Sequence, residues 1–186
     1  MVPVTELWLP ILISAVIVFL ASALVHMVLP HHRTDWKTLP AEADVMEAMR
    51  RFNIPPGDYA MPCAGSPAAM KDPAFVAKMK RGPVAFFTVL PGGEFSMGSN
   101  LAQWFVYCVV VSILAGYLAG AALPPGADYL EVFRFAGTTA FAAYTMALWQ
   151  RSIWYKQAWS TTIKSSIDGL VYALLSAGAF GWLWPR

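Results

Sequence analysis

LWLPILISAVIVFLASALVHMVL, residues 7–29, is the stretch of sequence that decides the fold. It contains no Asp, Glu, Lys or Arg, and about 20 helical residues are enough to cross the roughly 30 Å hydrocarbon layer of a bilayer. Lipid offers no partner for backbone N–H and C=O groups, so a crossing segment must pair these groups within a helix. Residues 7–29 are therefore predicted to form a transmembrane helix.

Three further apolar stretches of similar length follow, at 101–123, 129–150 and 163–184. The same argument predicts that each of them spans the membrane. The expected fold class is an all-α integral membrane protein, a compact bundle of four transmembrane helices. A roughly 70-residue, partly helical loop, 31–100, connects the first two spans. We expect residues 1–186 to form a single membrane domain.

The composition of the 186 residues agrees with this prediction. The chain is 58% hydrophobic and only 13% charged, whereas a soluble domain is usually about a quarter charged. Its 13 Lys and Arg and 11 Asp and Glu are mixed along the sequence. They form no basic stripe of the kind that binds nucleic acid. The lipid bilayer is therefore the expected partner, and nucleic acid is not.

The positions of Lys and Arg near the span ends predict the orientation. Arg33 and Lys37 follow the first span, and Arg151 and Lys156 lie between the third and fourth, whereas the amino terminus and turn 124–128 carry no basic residue. Basic residues are enriched in cytoplasmic loops. We therefore expect loop 31–100 in the cytoplasm, both termini outside, and residence in the bacterial cytoplasmic (inner) membrane.

Loop 31–100 is predicted to contain two short helices. The first begins near Glu42 and ends near Arg50, an order of charges that the helix dipole favours. The second runs over 73–81, because Asp72 is a typical N-cap and proline is favoured at the first helical position. Basic residues surround this second helix, as suits an anionic membrane surface or simply a solvated face: Lys71, Lys78, Lys80 and Arg81. Residues 84–90 are too short to span and predict a strand or a re-entrant segment.

Small residues recur four positions apart in the later spans. Such spacing brings helix backbones close enough for dispersion forces to hold them together in lipid. The residues concerned are Gly116, Gly120, Ala136, Ala140, Gly169 and Ala173. The pattern favours a compact bundle, and it fits packing within the chain as well as self-association or contact with other membrane subunits.

Ionisable side chains within the predicted spans are few, and each needs a partner or a function. Counted at 1.5 Å per residue, His26, Asp168 and Cys108 lie roughly 5, 8 and 10 Å inside the cytoplasmic edge. With Lys164 and Tyr172 on the same face of the fourth span, they form a candidate intramembrane polar site. One interpretation is a structural network in which Lys164 holds Asp168 one turn away. The other is a proton relay in which His26 faces a carboxylate.

A metal site is a further alternative for the same residues. No ligand spacing such as Cys-x-x-Cys occurs, so no motif predicts a cofactor. Histidine, cysteine and carboxylate nevertheless bind transition metals. The candidate ligands are His26, His31, His32 and Asp35, beside Cys108 and Asp168.

The sequence contains no phosphate-binding glycine loop, no nucleophile elbow and no His-Glu-x-x-His motif. We therefore expect a non-enzymatic accessory or assembly component that acts through helix packing with partner subunits. A small proton- or ion-coupled transporter that uses the polar face of the fourth span is the first alternative. A metal-dependent membrane enzyme is the second.

Overall fold

The computed structural model describes residues 1–93 and 96–186, and most of the chain is helical. The described residues form two compact units, one of Met1–Lys37 with Ser96–Arg186 and one of Thr38–Phe95. The single membrane domain expected for residues 1–186 stays a prediction. In chain order the elements are α1 Val4–Val28, α2 Glu42–Arg50, β1 Gly57–Met61, α3 Pro73–Arg81, β2 Ala85–Val89, α4 Met97–Ala122, α5 Tyr129–Thr145, α6 Trp149–Tyr155 and α7 Trp159–Trp182.

Helices form at all four predicted spans, but only two qualify as membrane-spanning by length and hydropathy. Within the described residues these are α1, with 25 residues, and α4, with 26. α5 has only 17 residues and includes Glu131 and Arg134. α7 has 24 residues, but Lys164 and Asp168 interrupt its apolar character. The structure therefore supports a largely helical chain with two candidate membrane-spanning helices, and the four-span bundle is not confirmed.

The long helices of the first unit form a ring in which α1 contacts α4 and α7, and α5 contacts α4 and α7. One group of buried residues joins the start of α1, the end of α4, the start of α5 and the end of α7, including Leu7, Ala119, Val132 and Phe180. We call it the apolar end. A second group joins the opposite helix ends and includes Val18, Cys108, Tyr144 and Tyr172. Neighbouring helices in the ring therefore run in opposite directions.

The small residues singled out from the sequence lie inside this ring. A Cβ atom on Gly116 would lie 3.2 Å from the Phe180 ring, and one on Gly169 would collide with the Thr145 side chain. Gly120 faces the backbone of Val2, whose N–H donates to the Gly120 carbonyl at 2.8 Å. Ala136, Ala140 and Ala173 are buried. Their contacts are thus made within this chain.

The second unit combines α2 and α3 with a β-hairpin. The short helices form where the sequence predicts them, and Asp72 caps α3 by accepting a hydrogen bond of 2.7 Å from the Ala74 N–H. Strand β2 confirms the strand alternative for 84–90, but its antiparallel partner β1 was not predicted. The all-α expectation is therefore wrong for this hairpin. None of the described residues of this unit is buried.

The contact between α5 and α7 predicts the effect of Gly137→Val. A Cβ atom at Gly137 would lie 2.9 Å from the Cβ atom of Ala177, so the two helices must separate. Overpacking of this kind costs about 1–3 kcal/mol, and we expect a thermal midpoint several degrees lower in detergent. Gly98→Val in α4 is the matched control, because nothing lies within 4 Å of its Cβ position. Equal midpoints for both variants would contradict this packing.

Candidate functional site

The candidate site begins where α1 ends. Leu29 is extended and Pro30 starts a 3₁₀ turn, Pro30–His32. Proline lacks an N–H group and its ring clashes with the preceding helical turn, so α1 does not continue past Val28. The turn places His31, His32 and Asp35 beside α7, within the first unit.

His32 bridges two carboxylates. Its Nδ1 lies 2.6 Å from Oδ2 of Asp35, and its Nε2 lies 2.6 Å from Oδ2 of Asp168. The side chains of Asp35 and Asp168 are 7% and 8% exposed, so the bridge is shielded from solvent. A ring with a carboxylate at each nitrogen is favoured as an imidazolium, because only that form donates from both.

Lys164 completes the bridge from the other side of Asp35. Its Nζ donates to Oδ1 of Asp35 and to Oγ1 of Thr34, both at 2.8 Å. The expectation that Lys164 holds Asp168 one turn away is therefore wrong. Its ammonium group instead binds the carboxylate that the turn after α1 brings to α7, while the oxygens of Asp168 face His31 and His32.

The other two histidines surround the same carboxylate. The His26 ring stacks on the His32 ring at a centroid distance of 4.5 Å. The Nε2 atom of His31 lies 3.7 Å from Oδ1 of Asp168 and is buried without a hydrogen-bond partner in the described part of the chain. One ligand atom each from His26, His32 and Asp168 lies within 4.8 Å of the others.

Cys108 is not part of this cluster. It lies in the adjoining aromatic group with Tyr144 and Tyr172, whose ring centroids are 5.6 Å apart. Tyr172 follows Asp168 by one turn of α7, and its hydroxyl is buried without a partner among the described residues. The hydroxyls of Thr145 and Ser176 are also buried without a partner among the described residues.

The structure thus brings His26, Lys164 and Asp168 together through two residues that the sequence placed only at the mouth of the span. These two residues are His32 and Asp35. Asp35 is hydrogen-bonded to His32, which lies three residues earlier in the chain, and to Lys164. The available signals were Pro30 and the His32–Asp35 spacing. The basic residues Lys71, Lys78, Lys80 and Arg81 belong to the second unit, where all four are exposed.

The bridge sets the protonation of its members. Burial lowers the pKa of His32, but the hydrogen bonds to Asp35 and Asp168 outweigh it and leave the pKa above its usual value of 6.5. Burial raises the pKa of Asp35, but the hydrogen bonds from Lys164 and His32 outweigh it and leave that pKa below 3.8. The bridge places the His32 ring and the Lys164 ammonium group against the carboxylates of Asp35 and Asp168, and such pairing offsets the cost of burial.

These pKa directions predict how stability varies with pH in the presence of a chelator. Because the pKa of His32 is higher in the folded state than in the unfolded state, protonation of His32 stabilises the folded protein. This contribution is complete below about pH 6.5, the unfolded-state value. That stability is lost as the pH rises through the folded pKa of His32. We therefore expect the thermal midpoint in detergent to fall as the pH rises above about 6.5.

His32→Gln supplies the control for this measurement. It cannot carry the charge, so its midpoint should be lower at pH 6 and nearly constant over that range. The contribution of Asp35 to stability has the opposite pH dependence. It is lost only in acid, as the pH falls through the lowered pKa of Asp35. Identical slopes for the wild type and His32→Gln would show that the bridge does not contribute to stability.

Neither the sequence nor the fold connects this site with a characterised protein. No protein-family model matches the chain. No curated protein and no solved structure matches it either. What the protein does must therefore be inferred from its own side chains.

Proposed function

We propose that the protein is an integral component of the bacterial cytoplasmic membrane, with four spans, that acts by associating with other membrane subunits rather than by moving a solute or catalysing a reaction. The observation that supports this best is the contrast between the two ends of the bundle. Ionisable side chains that are shielded from solvent and paired with one another lie at one end, and packed apolar residues close the other end.

Four spans are supported by the outward faces of α5 and α7. Large apolar side chains are exposed along every long helix, among them Leu12, Leu20, Val106, Val110, Leu130, Phe135, Ile167 and Leu174. Soluble monomers rarely expose so much apolar surface, whereas lipid covers it without cost. The residues that lower the hydropathy of α7, Lys164 and Asp168, face the cluster instead of lipid. Inward polar groups of this kind are typical of spans in a bundle.

Within residues 1–93 and 96–186 the polar side chains form no continuous path through the bundle, which argues against transport. From Asp168 the polar side chains of α7 continue through Tyr172 to Ser176, and Ser14 and Ser112 hydrogen-bond at 3.2 Å between α1 and α4. Beyond them, Leu7, Val132 and Phe180 fill the ring and are completely buried. Ions need polar groups or water along their whole route, so the site is reachable from one side only.

The orientation follows from the basic residues. The cluster would face the cytoplasm, with both termini outside, because Arg33, Lys37, Arg151 and Lys156 flank that end of the bundle. The basic helix α3 would lie on an anionic lipid surface. That assignment is supported by the exposed Lys78 and Arg81 beside the exposed apolar side chains of Val76 and Met79.

Extraction and reconstitution test this proposal. Taken from its membrane in mild detergent, the protein should elute with other subunits or with further copies of itself, and mass spectrometry should identify them. In liposomes the purified chain should admit no more protons or metal ions than empty vesicles do. A lone monomer that moves a solute would falsify the proposal.

A proton-coupled carrier is the second candidate, favoured by His32 between two carboxylates and by the unpartnered hydroxyls of Tyr172 and Ser176. Asp168→Asn separates the two functions. A relay loses proton flux while the fold is retained. In a structural network the thermal midpoint falls, because removing one partner of a buried pair lowers the free energy of unfolding by roughly 3–5 kcal/mol. The wild type then shows no proton flux, so the substitution changes stability alone. Asp44→Asn, on exposed α2, is the control.

A further inference from the structure

We infer that His26, His31, His32 and Asp168 form a binding site for one divalent first-row transition-metal ion, with Zn²⁺ the best match. The side chains come from the end of α1, from the turn after it and from α7. A bound ion would therefore cross-link the segment that follows α1 to α7. This inference goes beyond the proposed function, because binding of a metal is measured without any partner subunit or transport.

The spacing of the donor atoms fits such an ion. Zinc binds imidazole nitrogen at about 2.0–2.1 Å and carboxylate oxygen at about 2.0–2.2 Å, so neighbouring ligands of a tetrahedral site lie about 3.4 Å apart. In the structure, Nε2 of His32 is 2.6 Å from Oδ2 of Asp168, and Nε2 of His31 is 3.7 Å from Oδ1. The ligand atoms of His26, His32 and Asp168 all lie within 4.8 Å of one another. His31 lies outside that group of three, and its side chain would have to move towards His26 and His32 to serve as the fourth ligand.

His31 supplies an independent observation. Its Nε2 is buried and has no hydrogen-bond partner in the described part of the chain, yet it is directed at the Asp168 carboxylate. A buried nitrogen without a partner costs free energy unless something binds it. A metal ion between His31 and Asp168 would satisfy that nitrogen.

The surroundings match those of known metal-binding histidines. Such a histidine usually gives its second ring nitrogen to a carboxylate, which fixes the tautomer and the direction of the ring. Asp35 accepts from Nδ1 of His32 at 2.6 Å, so Nε2 points at Asp168. Asp35 is itself held by Lys164 at 2.8 Å. Asp35 is thus a positioning residue and not a ligand, unlike the expectation from the sequence.

The chemistry of the donors selects the class of ion. Three imidazoles and one carboxylate favour zinc and its neighbours over Mg²⁺ and Ca²⁺, which prefer sites built from oxygen. A bound ion would take the place of the proton between Nε2 of His32 and Oδ2 of Asp168, because a ring nitrogen must be deprotonated to bind a metal. Four protein ligands leave no open position for water, which is the arrangement of structural and not catalytic zinc.

The test uses the full chain in detergent, purified without a polyhistidine tag and stripped of metal with a chelator. Zn²⁺ is added in slight excess, free ion is removed by gel filtration, and retained zinc is counted by mass spectrometry. We expect one ion per chain. Titration with Co²⁺ in place of Zn²⁺ should produce the intense visible absorption of a tetrahedral site with nitrogen and oxygen ligands.

Four variants locate the ion. Asp168→Asn and His32→Gln should abolish retention, and Asp44→Asn on α2 should bind like the wild type. Asp35→Asn should weaken binding by about 10- to 100-fold but keep the Co²⁺ spectrum, because it alters only the orientation of His32. Gel filtration and circular dichroism of the metal-free proteins verify that each variant folds.

Two outcomes would overturn the inference. One is less than half an ion retained by the folded wild type. The other is equal retention by Asp168→Asn, His32→Gln and the wild type, which would place any bound metal elsewhere. Either result would leave a metal-free ion network as the account of the cluster, without bearing on the proposed membrane association.

Discussion

A buried carboxylate in the middle of α7 requires compensation, and the way this chain supplies it organises one end of the molecule. Removing a charge from water costs several kcal/mol unless it is paired and hydrogen-bonded. Asp168 is paired by His32, which the turn after α1 carries to it, and Lys164 of the same helix secures the second carboxylate, Asp35. The interruption of α1 at Pro30 is what makes this pairing geometrically available.

The opposite end of the bundle is held by a different force. Glycine and alanine at the helix contacts let the backbones approach, and side chains such as Phe180 and Ile11 fill the remaining space beside Gly116. Dispersion between closely packed atoms, and not ion pairing, stabilises contacts of this kind in lipid. The first unit therefore has a polar cluster at one end of the helices and the closely packed apolar end at the other, and the proposed function rests on this asymmetry.

Much of the helical framework could be predicted from the sequence, because its signals are local. Apolar runs predicted α1 and α4, and the Asp72-Pro73 cap predicted α3. The pairing of β2 with β1 could not be predicted, since the strands lie far apart in sequence and β1 carries no alternation of apolar and polar residues. The site was predicted in part. Counting residues along a helix gives the distance of a side chain from the membrane edge, but not the neighbouring helix that it faces. Cys108 and Asp168 therefore appeared as neighbours, although Cys108 lies with Tyr144. His32 was placed at the mouth of the span because its long-range bond to Asp168 has no local signal.

The most direct measurement of the central claim is the membrane topology. Cysteines are introduced one at a time at Ala127 and Gln157 in a Cys63→Ser background, in which the remaining Cys108 is completely buried. Each variant is labelled in intact cells with a membrane-impermeant maleimide. Four spans with both termini outside predict that position 127 reacts at once and that position 157 reacts only after the cells are permeabilised. Reaction at both positions in intact cells, or at neither, would contradict a bundle in which α5 and α7 cross the membrane.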